Sequence, residues 1–152
     1  MSTDTVDFNN LHILLVDDDQ VVLDLVEAML RKLGVERVTR ARSGSEAFSK
    51  ITKLDRVVDC VLCDYSMSPG NGLQLLQAVR LGKIKYLRPD LCFILVTGSG
   101  DADIVGVAAE LDVSGYLVKP VTPEKLRVSI AKARSRYFPV NIEKYANVNI
   151  PL

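Results

Sequence analysis

Short apolar runs alternate with longer segments of helical period along most of this 152-residue chain. The apolar runs have strand length and lie at residues 11–16, 57–63, 91–96 and 115–118, with a weaker, more polar run at 35–41. After each run, apolar residues recur at three- and four-residue steps, which is typical of an amphipathic helix. Five strand–helix units in strict alternation predict an α/β fold, with a parallel sheet covered by helices on both faces.

The hydrophobicity of each run predicts its place in the sheet. Strands one, three and four are almost continuously apolar, which is typical of strands covered on both faces. Strand two carries Glu36, Arg37 and Arg40, a composition that favours an edge position. We therefore expect a doubly wound, five-stranded sheet of flavodoxin-like order 2-1-3-4-5, with strands two and five on the outside.

Capping signals predict where several helices begin. Asp19 suits the N-terminus of the first helix, as an acid near the helix dipole or as the cap itself. Ser43 stands at capping-box spacing before Glu46, ahead of a helix predicted to carry Ala47, Phe48, Ile51 and Leu54. Thr122 is the expected N-cap of the last helix, with Pro123 in its first turn.

Composition excludes several functional classes. The 19 Lys and Arg residues balance 19 Asp and Glu residues, so the chain offers no overall electrostatic attraction to nucleic acid or to an anionic membrane. No apolar run approaches the roughly 18 residues that a membrane-spanning helix needs. The polar, acidic N-terminus is unlike a secretory signal.

The cysteines and the single histidine are interpreted as structural. Cys60, Cys63 and Cys92 cannot all pair, and a buried, reduced state is favoured, which predicts a location in the cytoplasm. Cys60 and Cys63 would point to opposite faces of one strand, which does not suit a shared metal. His12 opens strand one, away from the acidic residues described next, so a zinc site is disfavoured.

Polar side chains follow four of the predicted strands at the point where each strand ends. Strand one is followed by Asp17 and Asp18, strand three by Asp64, strand four by Thr97 and strand five by Lys119. Ligands of open parallel α/β sheets bind at the carboxyl ends of the strands, near the switch in strand order. The sequence therefore predicts that three carboxylates, a hydroxyl and an ammonium group meet at one edge.

These residue types suit phosphoryl chemistry at a metal ion. Three close carboxylates repel one another unless a cation lies between them, and a magnesium ion (Mg²⁺) takes one or two carboxylates together with a phosphoryl oxygen. Lys119 and Thr97 offer a positive charge and a hydrogen-bond donor to an incoming phosphoryl group. Asp64 is a plausible nucleophile, since carboxylates form aspartyl-phosphate intermediates.

At this point the sequence resembles a response-regulator receiver domain of two-component signalling, the CheY-like domain, over about residues 11–135. Each motif alone is weak, but four of them in order at the correct strand ends are specific. The motifs are Leu15-Val16-Asp17-Asp18-Asp19, Asp64-Tyr65-Ser66-Met67 with Gly72 at family spacing, Val96-Thr97-Gly98 and Tyr116-Leu117-Val118-Lys119-Pro120.

The resemblance implies roles for the acidic residues. Asp64 would accept a phosphoryl group from the phosphohistidine of a sensor histidine kinase or a phosphotransfer protein. Asp17 and Asp18, with the backbone carbonyl of Ser66, would help to hold Mg²⁺. The protein's own chemistry would be limited to self-phosphorylation and slow autodephosphorylation, so a signalling switch and not an enzyme is expected.

The resemblance also implies a switch and its partners. Thr97 and Lys119 would bind phosphoryl oxygens, and Tyr116 would turn inward as Thr97 moves toward the phosphate. This would remodel the face of the fourth helix, fifth strand and fifth helix for a downstream protein or a second copy. The residues alone leave two interpretations of Tyr116 open, since an aromatic side chain here also suits simple core or edge packing.

Two departures from the family pattern concern the loop after Asp64. Ser68 follows Met67 where many members have proline, which here comes one residue later at Pro69. Asn71 stands where aspartate is common before the glycine. The spacing is kept, so we expect an altered loop and not a lost site. Ser66 and Ser99 flank the phosphoryl site, where the family varies its control of hydrolysis.

Two rival functions remain at this stage. A hydrolase with an aspartyl nucleophile, as in dehalogenase-like phosphatases, would need a second acid two residues after Asp64, where Ser66 stands. A purely structural interaction module would keep the fold without the switch, and the complete polar set argues against it. Gly98-Ser99-Gly100 lacks the spacing of a nucleotide-binding loop.

The domain organisation predicted is an N-terminal extension at 1–10, a receiver at 11–135 and a C-terminal tail at 136–152. Either the protein acts alone by docking on a partner, or the chain is a receiver cut from a longer regulator. Residues 137–152 show no clear period, but six apolar residues make this tail more apolar than a typical linker. A docked or dimer-forming tail is therefore the hypothesis.

Overall fold

A five-stranded parallel sheet forms the centre of the computed structural model, which describes residues 6–53, 56–67, 70–98 and 102–151. The strand order is β2-β1-β3-β4-β5, and each pairing is parallel, as predicted from the sequence. The strands are β1 (His12–Val16), β2 (Arg37–Ala41), β3 (Cys60–Asp64), β4 (Cys92–Thr97) and β5 (Gly115–Val118).

Helices connect the strands and cover both faces of the sheet. They are α1 (Gln20–Lys32), α2 (Gly44–Ile51), α3 (Gly72–Arg80), α4 (Ala102–Glu110), α5 (Pro123–Ser135) and α6 (Ile142–Ala146), after a short 3-10 helix at Phe8–Asn10. None of the helices in the described ranges is long and apolar enough to cross a membrane.

Two apolar layers hold the sheet between the helices. One layer joins alternate strand residues such as Ile13 and Leu15 to α1 and α5, and the other joins Leu14 and Val16 to α2, α3 and α4. Every residue of β1, β3 and β4 is buried, because both faces of these strands are covered. The near-continuous hydrophobicity of these strands is thereby explained.

The predicted caps are confirmed. The Asp19 side chain accepts a hydrogen bond from the backbone N–H of Val21 at 2.9 Å, at the start of α1. Ser43 Oγ accepts from the Glu46 N–H at 3.0 Å before α2, and Thr122 caps α5 in the same manner. Each such cap satisfies a helix N–H that has no partner within its helix.

The predicted start of the third strand is wrong. β3 begins at Cys60 and not at residue 57, and Val57 is 71% exposed. The Asp59 carboxylate accepts the backbone N–H of His12 at 2.8 Å, while the Asp59 N–H donates to the His12 carbonyl at 2.8 Å. A side chain therefore occupies one of the hydrogen-bonding positions that a further ladder residue would have used.

Other expectations about the helices are corrected in part. In α4, Ile104 and Ala108 are buried, whereas the neighbouring Val105 is 41% exposed. Phe48 is likewise exposed on α2, which ends at Ile51, and Leu54 lies outside the described residues.

The cysteine interpretation is confirmed in the structure. Cys60, Cys63 and Cys92 are buried free thiols. Cys60 lies in the layer of α1 and α5, whereas Cys63 lies in the layer of α2, α3 and α4. Burial raises the pKa of the Cys63 thiol, which keeps it protonated.

The C-terminal tail packs against the domain, and it contains a helix that the sequence did not predict. α6 begins after Asn141, whose side chain accepts from the Lys144 N–H at 3.0 Å. Tyr145 and Val148 are buried in the layer of α2, α3 and α4. A five-residue helix is too short to produce a periodic apolar pattern, which explains why it was missed.

Candidate functional site

Three carboxylates come together where β1 and β3 end. The two strands are neighbours, and Val16 pairs with Cys63, so the next residues, Asp17 and Asp64, lie side by side. One carboxylate oxygen each of Asp17, Asp18 and Asp64 can be chosen such that all three lie within 4.8 Å of one another. The convergence expected from the sequence is therefore present.

Asp17 is held in an environment that disfavours its charge. It is 4% exposed, and burial together with the charges of Asp64 and Asp18 raises the pKa of Asp17 to about 6. The hydrogen bond from the Asp19 backbone N–H to Asp17 Oδ1, at 2.9 Å, and the charge of Lys119 only partly offset this effect. A further positive charge beside Asp17 would stabilise its ionised form.

Asp64 has one direct cationic partner. Lys119 Nζ lies 2.9 Å from Asp64 Oδ1 and 3.9 Å from Asp17 Oδ2. Burial raises the pKa of Asp64 despite this hydrogen bond. Burial alone would lower the pKa of Lys119, but the hydrogen bond and charge of Asp64 outweigh it, so that the pKa is raised. The 2.9 Å distance between the two groups is typical of an ammonium–carboxylate pair.

The donor set fits a hard divalent cation. Three carboxylates face a single ammonium group, so the group of four carries an excess of negative charge when all are ionised. The candidate ligands are oxygen atoms, which Mg²⁺ prefers, and the cluster includes no sulfur or imidazole. The cluster could therefore bind a metal ion, and its chemistry suits Mg²⁺ better than zinc.

Thr97 lies at the end of β4, on the same edge. It is 3% exposed, and its carbonyl accepts the backbone N–H of Lys119 at 2.8 Å, which ties the end of β5 to the end of β4. The Lys119–Pro120 peptide bond is cis. Gly98 is exposed, while Ser99 lies outside the described residues. Thr97 and Lys119 are thus brought to the edge that carries Asp64.

The loop after β3 is fixed by the close approach of α3. A Cβ atom on Gly72 would lie 2.6 Å from the carbonyl oxygen of Asp64, so only glycine fits without displacement. The Gly72 N–H donates to the Tyr65 carbonyl at 2.8 Å, and Ser66 forms an isolated antiparallel bridge with Asn71. The backbone of Ser66 is therefore held next to the N-terminus of α3. Ser68 and Pro69 lie outside the described residues.

Tyr116 lies on β5, opposite Leu95 of β4. It is half-buried and packs against the layer of α2, α3 and α4. This position supports the packing interpretation of Tyr116, and it also places the ring next to the strand that delivers Thr97. Its role as a switch stays a prediction.

His12 lies at the opposite end of β1 and is structural, as predicted. One ring nitrogen, Nε2, lies 2.7 Å from Thr39 Oγ1, and the other, Nδ1, lies 3.1 Å from the Val57 carbonyl. Burial lowers the pKa of His12, which favours the neutral ring at pH 7.

Sequence reasoning missed the contacts that tie the tail to α3. Asn71 Nδ2 donates to the carbonyl of Pro151 at 2.8 Å, across 80 residues of sequence. Arg80 is fully buried, although arginine is among the residues most often exposed. Two sequence signals were present, the apolar residues of the tail and the departure at Asn71, but nothing local could assign Asn71 a partner so distant in the chain.

Comparisons with known proteins agree with the fold described above. The family model for the response regulator receiver domain matches residues 13–131. A CheY homolog, a chemotaxis protein of Campylobacter jejuni, is 35% identical over 117 residues, which covers 77% of this chain and 87% of that protein. Chemotaxis protein CheY-3 of Vibrio cholerae is 30% identical over 128 residues, covering 84% of this chain and 94% of that protein.

A solved structure shows the same architecture. The response regulator receiver domain protein of Clostridium thermocellum superimposes with a TM-score of 0.70 at 30% identity, covering 82% of this chain and 94% of that chain. The match to the family model, these relatives and the shared sheet order lead to one conclusion. The chain belongs to the response regulator receiver domain family and has a CheY-like fold.

Proposed function

We propose that this chain is a phospho-accepting receiver in a two-component phosphorelay, with Asp64 as the acceptor. The observation that carries the proposal is the position of the Asp64 carboxylate. It lies 2.9 Å from Lys119 Nζ and shares a cluster with Asp17 and Asp18. Asp64 ends β3, the central strand of the sheet, with β1 on one side and β4 on the other.

Phosphoryl transfer needs an ionised acceptor and stabilisation of the transferred charge. An oxygen of Asp64 forms the new O–P bond while the N–P bond of a kinase phosphohistidine breaks, and the electron pair leaves with the imidazole. Lys119 favours the ionised form of Asp64 before transfer, since Lys119 Nζ lies 2.9 Å from Asp64 Oδ1. The ammonium of Lys119 and the hydroxyl of Thr97 then interact with phosphoryl oxygens.

The acidic cluster serves the same step by holding Mg²⁺. Asp17, Asp18 and the backbone carbonyl of Ser66 are the proposed ligands, together with Asp64 itself. Bound Mg²⁺ supplies positive charge that neutralises the carboxylates and the phosphoryl oxygens. The raised pKa of Asp17, about 6, supports this role, because a cation would relieve the cost of ionising it.

Phosphorylation is proposed to change binding and not to start a catalytic cycle. Thr97 would move toward the phosphoryl group, Tyr116 would turn inward, and the face of α4, β5 and α5 would be remodelled. That face would then bind a downstream protein or a second copy of the chain. The proposed donors are a sensor histidine kinase or a phosphotransfer protein, and the proposed place of action is the cytoplasm.

A hydrolase function has less support. An aspartyl phosphatase of the dehalogenase-like kind needs an acid two residues after the nucleophile to protonate the leaving group. Ser66 occupies that position, and its side chain is exposed. Turnover of a generic phosphate ester would favour this alternative.

Incubation with Mg²⁺ and a small phosphodonor, followed by intact mass measurement, tests the proposal. We expect the wild-type chain to gain one phosphoryl group and Asp64→Asn to gain none. Asp19→Asn is the matched control, because it removes an exposed acid of the same segment and asparagine caps a helix equally well. An equal gain in Asp64→Asn, or no gain in wild type, would contradict the proposal.

A further inference from the structure

The C-terminal tail is anchored in the domain by burial and by specific hydrogen bonds. Tyr145 is 0% exposed, and its hydroxyl donates to Asp112 Oδ2 at 2.7 Å. Gln77 of α3 donates from Nε2 to the carbonyls of both Tyr145 and Val148, at 3.0 Å each. A buried aromatic ring together with satisfied backbone carbonyls fixes the tail against α3 at this point.

From this anchor the tail continues along α3 toward the phospho-acceptor edge. Near the last residue of α3, the ring of Phe138 lies 4.6 Å from the guanidinium carbon of Arg80. Gln77 contacts the middle of the tail, and Asn71, the N-cap of α3, contacts Pro151. The tail therefore runs antiparallel to α3 over the whole length of that helix.

Asn71 performs two functions that an aspartate could not combine. Its Oδ1 accepts the backbone N–H of Gln74 at 3.1 Å, which caps α3. Its Nδ2 donates to the Pro151 carbonyl at 2.8 Å. Aspartate caps a helix equally well but has no N–H to donate. The tail contact thus gives a physical reason for asparagine at this position, the second departure found in the sequence.

Asn71 is also tied to the loop that carries the proposed metal ligand. The residue forms an antiparallel bridge with Ser66. The next residue, Gly72, donates to the Tyr65 carbonyl at 2.8 Å and packs directly on the backbone of Asp64. A displacement of Asn71 would therefore also displace the backbone of Ser66, whose carbonyl is the proposed ligand.

We propose that the C-terminal tail positions the loop between β3 and α3 for metal binding. The contact between Pro151 and Asn71 holds the N-terminus of α3, and through it the carbonyl of Ser66. Binding free energies are reciprocal, so Mg²⁺ at the acidic cluster should in turn stabilise the docked tail. The link to Mg²⁺ rests on the proposed function, whereas the effect of the tail on the loop does not.

A double-mutant cycle on Mg²⁺ affinity tests the coupling. One variant is Asn71→Ser, which keeps a neutral cap and removes Nδ2, and the other lacks residues 149–152 while retaining Tyr145 and Val148. We expect each variant to weaken Mg²⁺ binding about five-fold. The double variant should bind Mg²⁺ no more weakly than the truncated chain alone. Asn149→Ser, an exposed change in the same segment, is the matched control and should bind as wild type does.

Amide hydrogen exchange provides a readout that does not need the metal ion. In Mg²⁺-free protein, the truncation should accelerate exchange of the Gly72 N–H, which donates to the Tyr65 carbonyl. In the full chain, Mg²⁺ should slow exchange of the Tyr145 N–H in the tail, which donates to the Asn141 carbonyl. These two effects lie at opposite ends of the proposed coupling.

The possible outcomes separate this inference from the proposed function. Unchanged Mg²⁺ affinity in the truncated chain overturns the inference, and so does an Asn71→Ser effect of equal size with and without residues 149–152. If the wild-type chain binds no Mg²⁺, the proposed function fails. The exchange rate at Gly72 in the truncated chain then tests the effect of the tail on the loop by itself. An unchanged rate overturns that effect, and a faster rate supports it.

Discussion

Two regions of this molecule bury charged side chains, and they do so with opposite results. At the carboxyl ends of the strands, three carboxylates share one ammonium group, and the pKa of Asp17 is raised to about 6 by burial and by its acidic neighbours. At the far end of α3, Arg80 is 0% exposed, yet its guanidinium donates to four backbone carbonyls. The first region gains from an added ligand, whereas the second is already complete.

The two regions differ because their partners differ. The acceptors around Arg80 are the carbonyls of Leu111, Pro89, Leu91 and Asp112, at 2.7 to 3.0 Å. Burial lowers the pKa of Arg80 to about 10, so the side chain stays charged at neutral pH. Fixed neutral dipoles of the backbone satisfy this charge. Like charges at the strand ends cannot satisfy one another, and this difference distinguishes a structural network from a binding site.

Removing the guanidinium should produce the largest effect. Arg80→Met keeps the length of the side chain but leaves four carbonyls without their donor, and we expect a loss of about 3–5 kcal/mol in the free energy of unfolding. Urea denaturation measures the loss. Arg88→Met is the control, because the Arg88 side chain is 80% exposed. A loss no larger than in the control would show that the Arg80 network is not a stabilising one.

Neutralising an acid at the strand ends should have the opposite sign. In metal-free protein, Asp17→Asn removes a buried like charge, and asparagine can still accept the Asp19 N–H, so we expect a gain of about 1–2 kcal/mol in the free energy of unfolding at pH 7. The same change should weaken Mg²⁺ binding strongly. Urea denaturation in a chelator and calorimetric titration with Mg²⁺ check the two halves of this prediction. A loss of stability would contradict the difference drawn between the two regions.

The pH dependence of stability should follow from the same group. The pKa of Asp17 is about 6 in the folded protein, above the ordinary aspartate value of 3.8, so the folded state binds the proton more tightly than the unfolded state. This contribution is fully present below the unfolded pKa and is lost as pH rises through about 6. Metal-free wild type should therefore gain stability relative to Asp17→Asn as pH falls from 7 to 5. Denaturation midpoints of both proteins at each pH measure this difference, and parallel profiles would contradict the assignment to Asp17.

The smallest effect is expected where the tail meets the domain. Tyr145→Phe removes the hydroxyl that donates to Asp112 Oδ2 at 2.7 Å, while the ring stays buried. Lys144 Nζ remains 3.4 Å from the same oxygen, so the loss should be only about 1 kcal/mol. Thermal unfolding measures it, with Tyr137→Phe as the control because Tyr137 is 90% exposed. No difference between the two variants would mean that this hydrogen bond does not hold the tail.

The strand-end site was more predictable from sequence than the tail contact, for a physical reason. A buried parallel strand is marked by its own apolar run, and the residue after the run is placed at the edge of the sheet by topology alone. The sequence alone therefore assigns four polar residues to one edge of the sheet, namely Asp17, Asp64, Thr97 and Lys119. The continuous hydrophobicity of three runs indicated which strands lie inside the sheet, in agreement with the flavodoxin-like order.

The tail contact could not be predicted because it depends on pairs that are far apart in sequence. Gln77 donates to the carbonyls of Tyr145 and Val148, which follow it by 68 and 71 positions in the sequence. Arg80 donates to backbone carbonyls, which no side-chain pattern in the sequence marks. The boundary of β3 was missed for a related reason, since the Asp59 carboxylate takes a position that the apolar run suggested for the strand. Local pattern specifies elements, whereas side-chain to backbone contacts between elements require the fold.

Identification of the phosphorylated residue tests most directly whether Asp64 is the acceptor. After incubation with Mg²⁺ and a small phosphodonor, borohydride reduction converts an aspartyl phosphate into homoserine, which peptide mass spectrometry locates. We expect homoserine at residue 64 and at no other aspartate position, with none formed in Asp64→Asn. Homoserine at Asp17 or Asp18, or none in the wild-type chain, would contradict it.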